Sequence, residues 1–424
     1  MTILLVAGIL FFLIAIDIPI AVALGITATL AVYFIAGLPI IAIAQKLFTS
    51  LDKFALMAIP FFVLAGAFLS EGGTARRITN FAHAMVGHFP GGITMTAILA
   101  CAIFAAVSGS SPATVAAIGS IMIPAIRKAG YSDVFAIGSI TTAGSLGILI
   151  PPSIVLIVYG ITVDQSIGDL FLAGIVPGIM IATMLMLLTY IMARRAGFKK
   201  TTPAPFKERL KAFLDSFWAL MLIVIIIGGI YSGIFTPTEA AAVSAVYAFI
   251  VAKFIYRDIK WADVPKIILS AAATSAMILF IIANAMLFAY FLTIEQIPQE
   301  LIQLVSQTHI SKYTFLIALN ILLIIFGFFM EPSSIIMITA PLVFPVAMKL
   351  GVNPIHLGII YTVNMEVGMM TPPVGLNLFV ASGITGKSIQ YVAKVCLPWF
   401  LTYLAALLLI TYIPDISLII FKIF

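Results

Sequence analysis

Two apolar stretches of this chain are interrupted by residues that a lipid-facing helix does not need. The first reads Ser139-Ile140-Thr141-Thr142-Ala143-Gly144-Ser145-Leu146-Gly147 and runs into Pro151-Pro152. The second reads Asn364-Met365-Glu366-Val367-Gly368-Met369-Met370-Thr371 and runs into Pro372-Pro373. Proline lacks an N–H and clashes with the preceding turn, and it pushes the residue before it out of the helical region. Two in succession free several carbonyl oxygens, which in hydrocarbon must find a partner or line a cavity. A sodium ion is such a partner. Broken helices offer carbonyls to cations at half-helix C-termini and N–H groups to anions at N-termini.

Two more stretches, 93–127 and 313–348, break in the middle at polar tips. The tips are Ser108-Gly109-Ser110-Ser111-Pro112 and Glu331-Pro332-Ser333-Ser334. A helix crossing the hydrocarbon needs about 20 residues, so each arm is short. The tips also lack the charges of a surface loop, apart from Glu331. Each stretch therefore reads as a re-entrant helical hairpin rather than an ordinary pair of spans. Setting each tip beside the broken span of its own half gives two cation sites. One uses Ser108, Gly109, Ser110 and Ser111 with Thr141, Thr142, Gly144 and Ser145. The other uses Glu331, Ser333 and Ser334 with Asn364, Gly368 and Thr371. Hydroxyls and carbonyls are hard oxygen donors suited to an alkali cation, although small residues also serve simply to let helices approach closely. A solute site is expected between the tips, near Ser110, Ser111, Ser333, Ser334 and Thr371.

An ionisable group inside a span is a functional candidate by default. Glu366 fits an ion ligand, a proton carrier or a helix-capping partner, and Glu331 a water-filled mouth. Asp17, before Pro19, is expected to cap the second span. His83, His88, His309 and His356 show no metal-ligand spacing, and Cys101 and Cys396 read as small packing residues. With no zinc-protease motif, phosphate-binding loop or nucleophile elbow, neither an enzyme nor an ATP-driven pump has support, and no cofactor is expected beyond Na+ as coupling ion.

These residues need a membrane to sit in. The chain has 424 residues, 63% hydrophobic and only 9% charged, where a soluble domain carries roughly 25%. Further spans are predicted at 2–16, 18–36, 47–70, 168–193, 213–233, 236–256, 265–292 and 391–413, with broken spans at 131–160 and 355–381. The opening residues lack a positive n-region and a cleavage site, so they read as a first span rather than a signal peptide. The net charge of +6 reads as topology signal rather than nucleic-acid affinity.

The chain also repeats itself at an offset of 221 residues: Pro124, Lys128 and Gly130 match Pro345, Lys349 and Gly351, Gly147 matches Gly368, Pro151-Pro152 matches Pro372-Pro373, and Pro177 matches Pro398. A Pro-Pro pair held in register without a gap makes an internal duplication. The expected fold is an all-α polytopic membrane protein of two repeats, 1–200 and 213–424, joined by a basic linker at 201–212. Each holds five spans and one hairpin, and the odd number of crossings inverts the second against the first, a transporter architecture. Arg194, Arg195, Lys199, Lys200, Lys207, Arg209 and Lys211 place the linker in the cytoplasm. The loops near 161–169 and 293–311, with acids and no lysine or arginine, then fall outside, as do both chain ends.

Ser108-Gly-Ser-Ser-Pro-Ala-Thr114, Gly147-Ile-Leu-Ile-Pro-Pro-Ser153, Thr236-Pro-Thr-Glu-Ala240 and Thr371-Pro-Pro-Val-Gly-Leu-Asn377 resemble the large membrane subunit of tripartite ATP-independent periplasmic (TRAP) transporters. The likeness covers essentially the whole chain. It implies sodium-coupled import of a small carboxylate such as a C4-dicarboxylate or sialic acid across the bacterial inner membrane, by an elevator mechanism. It also implies two partners, a small four-span membrane subunit and a periplasmic substrate-binding protein. No spans precede Met1, so the small subunit is expected to be a separate chain. With no arginine in the predicted core, the carboxylate would be held by hydroxyls and half-helix N-termini. The alternatives are a proton-coupled organic-anion carrier using Glu366, or, from other classes, a membrane enzyme or a passive structural subunit.

Overall fold

The computed structural model describes residues 2–71, 73–307 and 310–423, and it contains helices and no strand among them. His309 lies outside the described residues. The first half runs α1 (Thr2–Ala15), α2 (Ile20–Leu30), α3 (Ile40–Leu51), α4 (Ala58–Glu71), α5 (Thr74–Val86), α6 (Gly92–Ser108), α7 (Ser111–Lys128), α8 (Ser139–Gly144), α9 (Ile154–Thr162) and α10 (Ile167–Arg195). The second runs α11 (Phe206–Ile223), α12 (Gly229–Tyr231), α13 (Pro237–Ile250), α14 (Val264–Ile294), α15 (Ile297–Gln307), α16 (Lys312–Gly327), α17 (Pro332–Lys349), α18 (Pro354–Met369), α19 (Leu376–Thr385) and α20 (Ile389–Tyr412), closing with α21 (Asp415–Leu418) and α22 (Ile420–Ile423). Among the described residues, seven helical stretches are long and apolar enough to cross a membrane, including Ile167–Arg195 and Val264–Ile294. Several others are shorter because the chain breaks inside them.

The breaks fall where proline and glycine put them. The first broken span ends α8 at Gly144, tightens into a 3-10 turn over Ser145–Ile148, and restarts as α9 with the Ser153 hydroxyl capping Leu156 N at 3.2 Å. The second ends α18 at Met369 and restarts at Leu376. Both Pro-Pro bonds are cis. The hairpin arms α7 and α17 start and stop 221 residues apart at both ends, so the order of elements repeats as the sequence does.

Three expectations change. The span drawn at 47–70 is two helices: Asp52 and Lys53 leave the helical region, so α3 ends at Leu51 and α4 is the spanning piece. Asp17 does not cap α2, which has no side-chain cap. Asp17 instead takes a positive φ of 66° in the turn before Pro19. The amphipathic helices α5 and α15 occupy segments where no span was drawn, because a hydropathy scan passes over helices with one polar face.

The halves interlock. The return arm α7 packs against α19 of the other half, and α17 packs against α9. Helices α2, α4, α13 and α14 pack on one another beside them. Off the core, Asp258 accepts from Arg77 at 2.5 Å and from Gly73 N at 2.9 Å, and the Arg77 guanidinium lies 3.9 Å from the centre of the Tyr256 ring. This ties α5 to the end of the α13 stretch.

Candidate ion and solute site

The first hairpin turns at Gly109, whose φ of +62° suits glycine. A Cβ there would also lie 2.9 Å from the Pro152 carbonyl oxygen. Around the turn the hydroxyls of Ser108 and Thr114 meet at 2.8 Å, and Thr114 donates to the Ser110 carbonyl at 2.9 Å. Ser111 opens α7, is fully buried, and reaches the Ser145 carbonyl at 3.5 Å. Thr141 donates back to Ile137 O at 2.8 Å, Gly144 packs on Val115, and the buried Thr142 hydroxyl has no hydrogen-bond partner.

The second hairpin presses its backbone on its own broken span. A Cβ on Gly327 would lie 2.7 Å from Gly368 Cα, and Val374 N donates to Phe328 O at 3.2 Å. Glu331 caps α17, its carboxylate accepting from Ser334 N and the Ser334 hydroxyl at 2.8 Å each and from Ser333 N at 3.3 Å. Asn364 donates to Asn320 Oδ1 and to Ile360 O, both at 2.8 Å, while its own Oδ1, fully buried, has no partner. Asn320 passes the chain to the Thr411 hydroxyl at 3.1 Å. Thr371 bonds back to Val367 O at 2.7 Å.

Glu366 joins the halves. It sits fully buried in α18, yet its carboxylate accepts from the Ser111 hydroxyl of the first hairpin. Asn377 donates to Glu366 at 3.5 Å and to the Ser145 hydroxyl at 3.1 Å. The Asn377 Oδ1 has no partner.

Between the tips lies a cavity of about 410 Å³, lined by Ser108, Gly109 and Ser110 from one and by Glu331, Pro332 and Ser333 from the other. Helix α4 (Ser70, Glu71) and helix α14 (Ser270, Thr274) form the opposite wall. The lining includes first-turn residues of α7 (Pro112, Ala113), α9 (Ile154, Val155), α17 (Pro332, Ser333) and α19 (Leu376). A helix N-terminus leaves N–H groups without intrahelical acceptors and carries a partial positive charge. Among the described lining residues there is no lysine or arginine.

The sequence matches the family profile of the tripartite ATP-independent periplasmic transporter, DctM component, over residues 7–416. The chain belongs to that family. It is 50% identical to the C4-dicarboxylate TRAP transporter large permease protein of Rhodobacter capsulatus, covering 99% of this chain and 98% of that one. It is 50% identical to the protein of the same description from Pseudomonas aeruginosa, over 93% of each. The crystal structure of the Alcanivorax borkumensis YdaH transporter shares the fold, with a TM-score of 0.61 at 15% identity over 88% of both chains. A DctM-family chain is a transporter permease subunit and not an enzyme.

Within this permease, Ser108, Gly109, Ser110, Glu331 and Ser333 line the cavity. Ser111, Ser334 and Thr371 are not among its lining residues. Ser111 meets Ser145 through its side chain, and Asn364 lies behind the second hairpin on Asn320. Hydropathy reasoning did not single out Asn320, Thr411, Glu71 or Thr274, nor give Asn377 a role although it closes one of the quoted motifs. Asparagine in an apolar helix was a usable signal for Asn320 and Asn377. The two wall residues give no such signal in a single sequence.

Proposed function

We propose that this permease imports a C4-dicarboxylate across the bacterial inner membrane, driven by sodium. A small four-span subunit and a periplasmic binding protein complete the system. The observation that carries this reading is the cavity between the hairpin tips. Helix starts converge there and supply positive potential without a basic side chain, an arrangement suited to carboxylate oxygens. Its relatives' substrate class agrees with that chemistry.

The same cavity gives a physical reason for cation coupling. A dicarboxylate brings two negative charges beside Glu71 and Glu331, and one N-terminus, that of α17, is already occupied by the Glu331 carboxylate. Like charges in a partly desolvated site repel strongly, so cations entering with the solute offset the cost. The oxygens left without partners, Thr142 Oγ1 in the first broken span and Asn364 Oδ1 in the second, fit that role. The first sodium site takes Ser108 to Ser111 with Thr141, Thr142, Gly144 and Ser145. The second takes Glu331, Ser333 and Ser334 with Asn364, Gly368 and Thr371. Sodium draws each tip onto its broken span and completes the solute site.

The two repeats, 1–200 and 213–424, are inverted in the membrane, with the linker at 201–212 cytoplasmic and both termini periplasmic. Hairpins and broken spans move together, elevator fashion, against α2, α4, α11, α13 and α14. A proton-coupled carrier using Glu366 is the second reading, favoured by a buried carboxylate with no cationic partner. Against it, Glu366 does not line the cavity and is enclosed by Ser111 and Asn377. The test is uptake of a C4-dicarboxylate by proteoliposomes holding all three components. Uptake ceases when choline replaces sodium if the proposal is right, and uptake indifferent to that exchange rejects it.

A further inference from the structure

A second cavity, of about 370 Å³, lies apart from the solute site, between α1, α14, α15 and the second hairpin. Its walls are hydrocarbon: Leu10, Phe291, Leu301, Phe326, Ile338 and Leu342 are representative. The one hydroxyl among its lining residues, that of Thr339, is spent on Ile335 O at 2.7 Å. A buried water needs two to four polar partners, and this cavity offers none. Protein interiors do not leave voids of this size unfilled. The gap exists because α1 packs chiefly on α2 and meets the hairpin through the Phe11–Phe326 ring pair, centroids 6.2 Å apart, while α14 and α15 pack on α17.

Two features identify the filler. Ile297, Leu301 and Val305, spaced four apart on the amphipathic α15, turn one apolar stripe into the cavity, as a helix lying at the membrane interface does. Phe11 and Leu322, which also line it, are half-exposed on faces that meet lipid, so the cavity communicates with the bilayer below that interface. An α-helix with its side chains is 10–12 Å across, too bulky to enter a cavity of about 370 Å³, although it could lie across the mouth. An extended hydrocarbon chain suits both the volume and the apolar lining.

We propose that this cavity is a binding site for one acyl chain of a membrane phospholipid, drawn from the leaflet on which α15 lies. The acyl chain fills the gap that α1 leaves beside α14 and the second hairpin.

The test uses the full chain reconstituted in phosphatidylethanolamine and phosphatidylglycerol vesicles doped with a phosphatidylethanolamine carrying a diazirine on one acyl chain. After photolysis the adducts are mapped by peptide mass spectrometry. Adducts per residue should be at least about fivefold denser on 288–301 and 335–346 than on the stretch 213–223 of α11, whose exposed residues include Phe213, Leu214 and Trp218. Filling the cavity from opposite walls, with Ala7→Trp and separately Leu342→Trp, should lower the cavity adducts about fivefold and leave those on α11 unchanged. Equal adduct density at the cavity and on α11 in the wild type overturns the proposal by itself, whether or not the variants fold. So does undiminished labelling in a monodisperse Ala7→Trp protein. Recovery of an isoprenoid or other non-phospholipid in place of the acyl adduct overturns it as well.

Discussion

Ser111, the first residue of the returning arm of the first hairpin, donates its hydroxyl to the carboxylate of Glu366, which lies 255 positions further on in the broken span of the other half. Neither side chain has measurable exposure. The bond makes the seating of one hairpin depend on the conformation of the opposite repeat, which is the arrangement a two-site carrier needs if both tips are to engage together.

Glu366→Gln keeps an oxygen acceptor for Ser111 and removes the charge. Sodium-driven uptake should stay within about threefold of wild type, whereas a proton-coupled carrier would lose its coupling. Glu366→Ala removes that acceptor, leaving Ser111 only the 3.5 Å contact to the Ser145 carbonyl and Asn377 only the Ser145 hydroxyl, a loss of about 1–3 kcal/mol at most for each buried group left under-satisfied. Uptake should then fall at least tenfold. Proteoliposome uptake of both variants in parallel is the measurement.

At the second hairpin, Gly327 and Gly368 touch through their backbones, and an added Cβ would meet a Cα rather than a flexible side chain. Gly327→Ala should therefore destabilise the fold by about 1–3 kcal/mol, the usual cost of overpacking. A lower thermal unfolding midpoint in detergent reads this directly. Gly383, which has open space around a Cβ, serves as the control: Gly383→Ala should leave the midpoint unchanged or raise it.

Asn364 presents Oδ1 without a partner while its amide holds Asn320 and Ile360. Asn364→Asp keeps the oxygen and Asn364→Ala deletes it. The alanine variant should raise the sodium concentration for half-maximal uptake at least about tenfold, the scale on which single oxygens near a metal act. Unaltered sodium dependence in Asn364→Ala would remove this residue from the proposed ion site.

In the turn just before the apolar helix Val134–Ile148, Arg127 donates to Asp133 at 2.7 Å and the Tyr391 hydroxyl donates at 3.0 Å. Chiefly through the Arg127 hydrogen bond, the Asp133 carboxyl is held below the ordinary aspartate range. A carboxyl whose folded pKa is depressed stabilises fully above its unfolded pKa, about 3.9, and loses that stability as pH falls through the folded value. Asp133→Asn should thus cost the same at pH 7 and pH 5, about 0.5–1 kcal/mol for a solvent-screened pair. The difference from wild type should close only as pH falls below the ordinary aspartate range and through the lowered folded value. Unfolding midpoints at pH 7, at pH 5 and through that acid range check it.

Proline and glycine made much of the architecture legible in advance. The paired prolines at 151–152 and 372–373, and the tips at 108–112 and 331–334, mark breaks that the chain adopts because no regular helix accommodates them. The matching bounds of α7 and α17 follow from the same duplication that the sequence shows. Hydropathy was less informative wherever a helix has a polar face, so α5 and α15 went unseen. It also merged α3 with α4, because Asp52 and Lys53 are only two polar residues beside a long apolar run. The Ser111–Glu366 bond lay beyond reach for a different reason. The offset of 221 pairs each tip with its own broken span, and nothing in that periodicity shows that a residue of one repeat completes the surroundings of the other. Helix Asn320–Asn364–Thr411 contacts are of the same long-range kind.

The claim on which the function rests is that solute and sodium occupy the space between the two tips together. Cys101 and Cys396 are both buried, so single cysteines placed at the cavity can be read against a low background. Ser110→Cys and Ser333→Cys, in membranes with a soluble maleimide, should each be labelled at least about tenfold more slowly when a C4-dicarboxylate and sodium are both present, with little protection from either alone. Equal labelling rates in all four conditions, or full protection by the dicarboxylate in choline, would contradict the account.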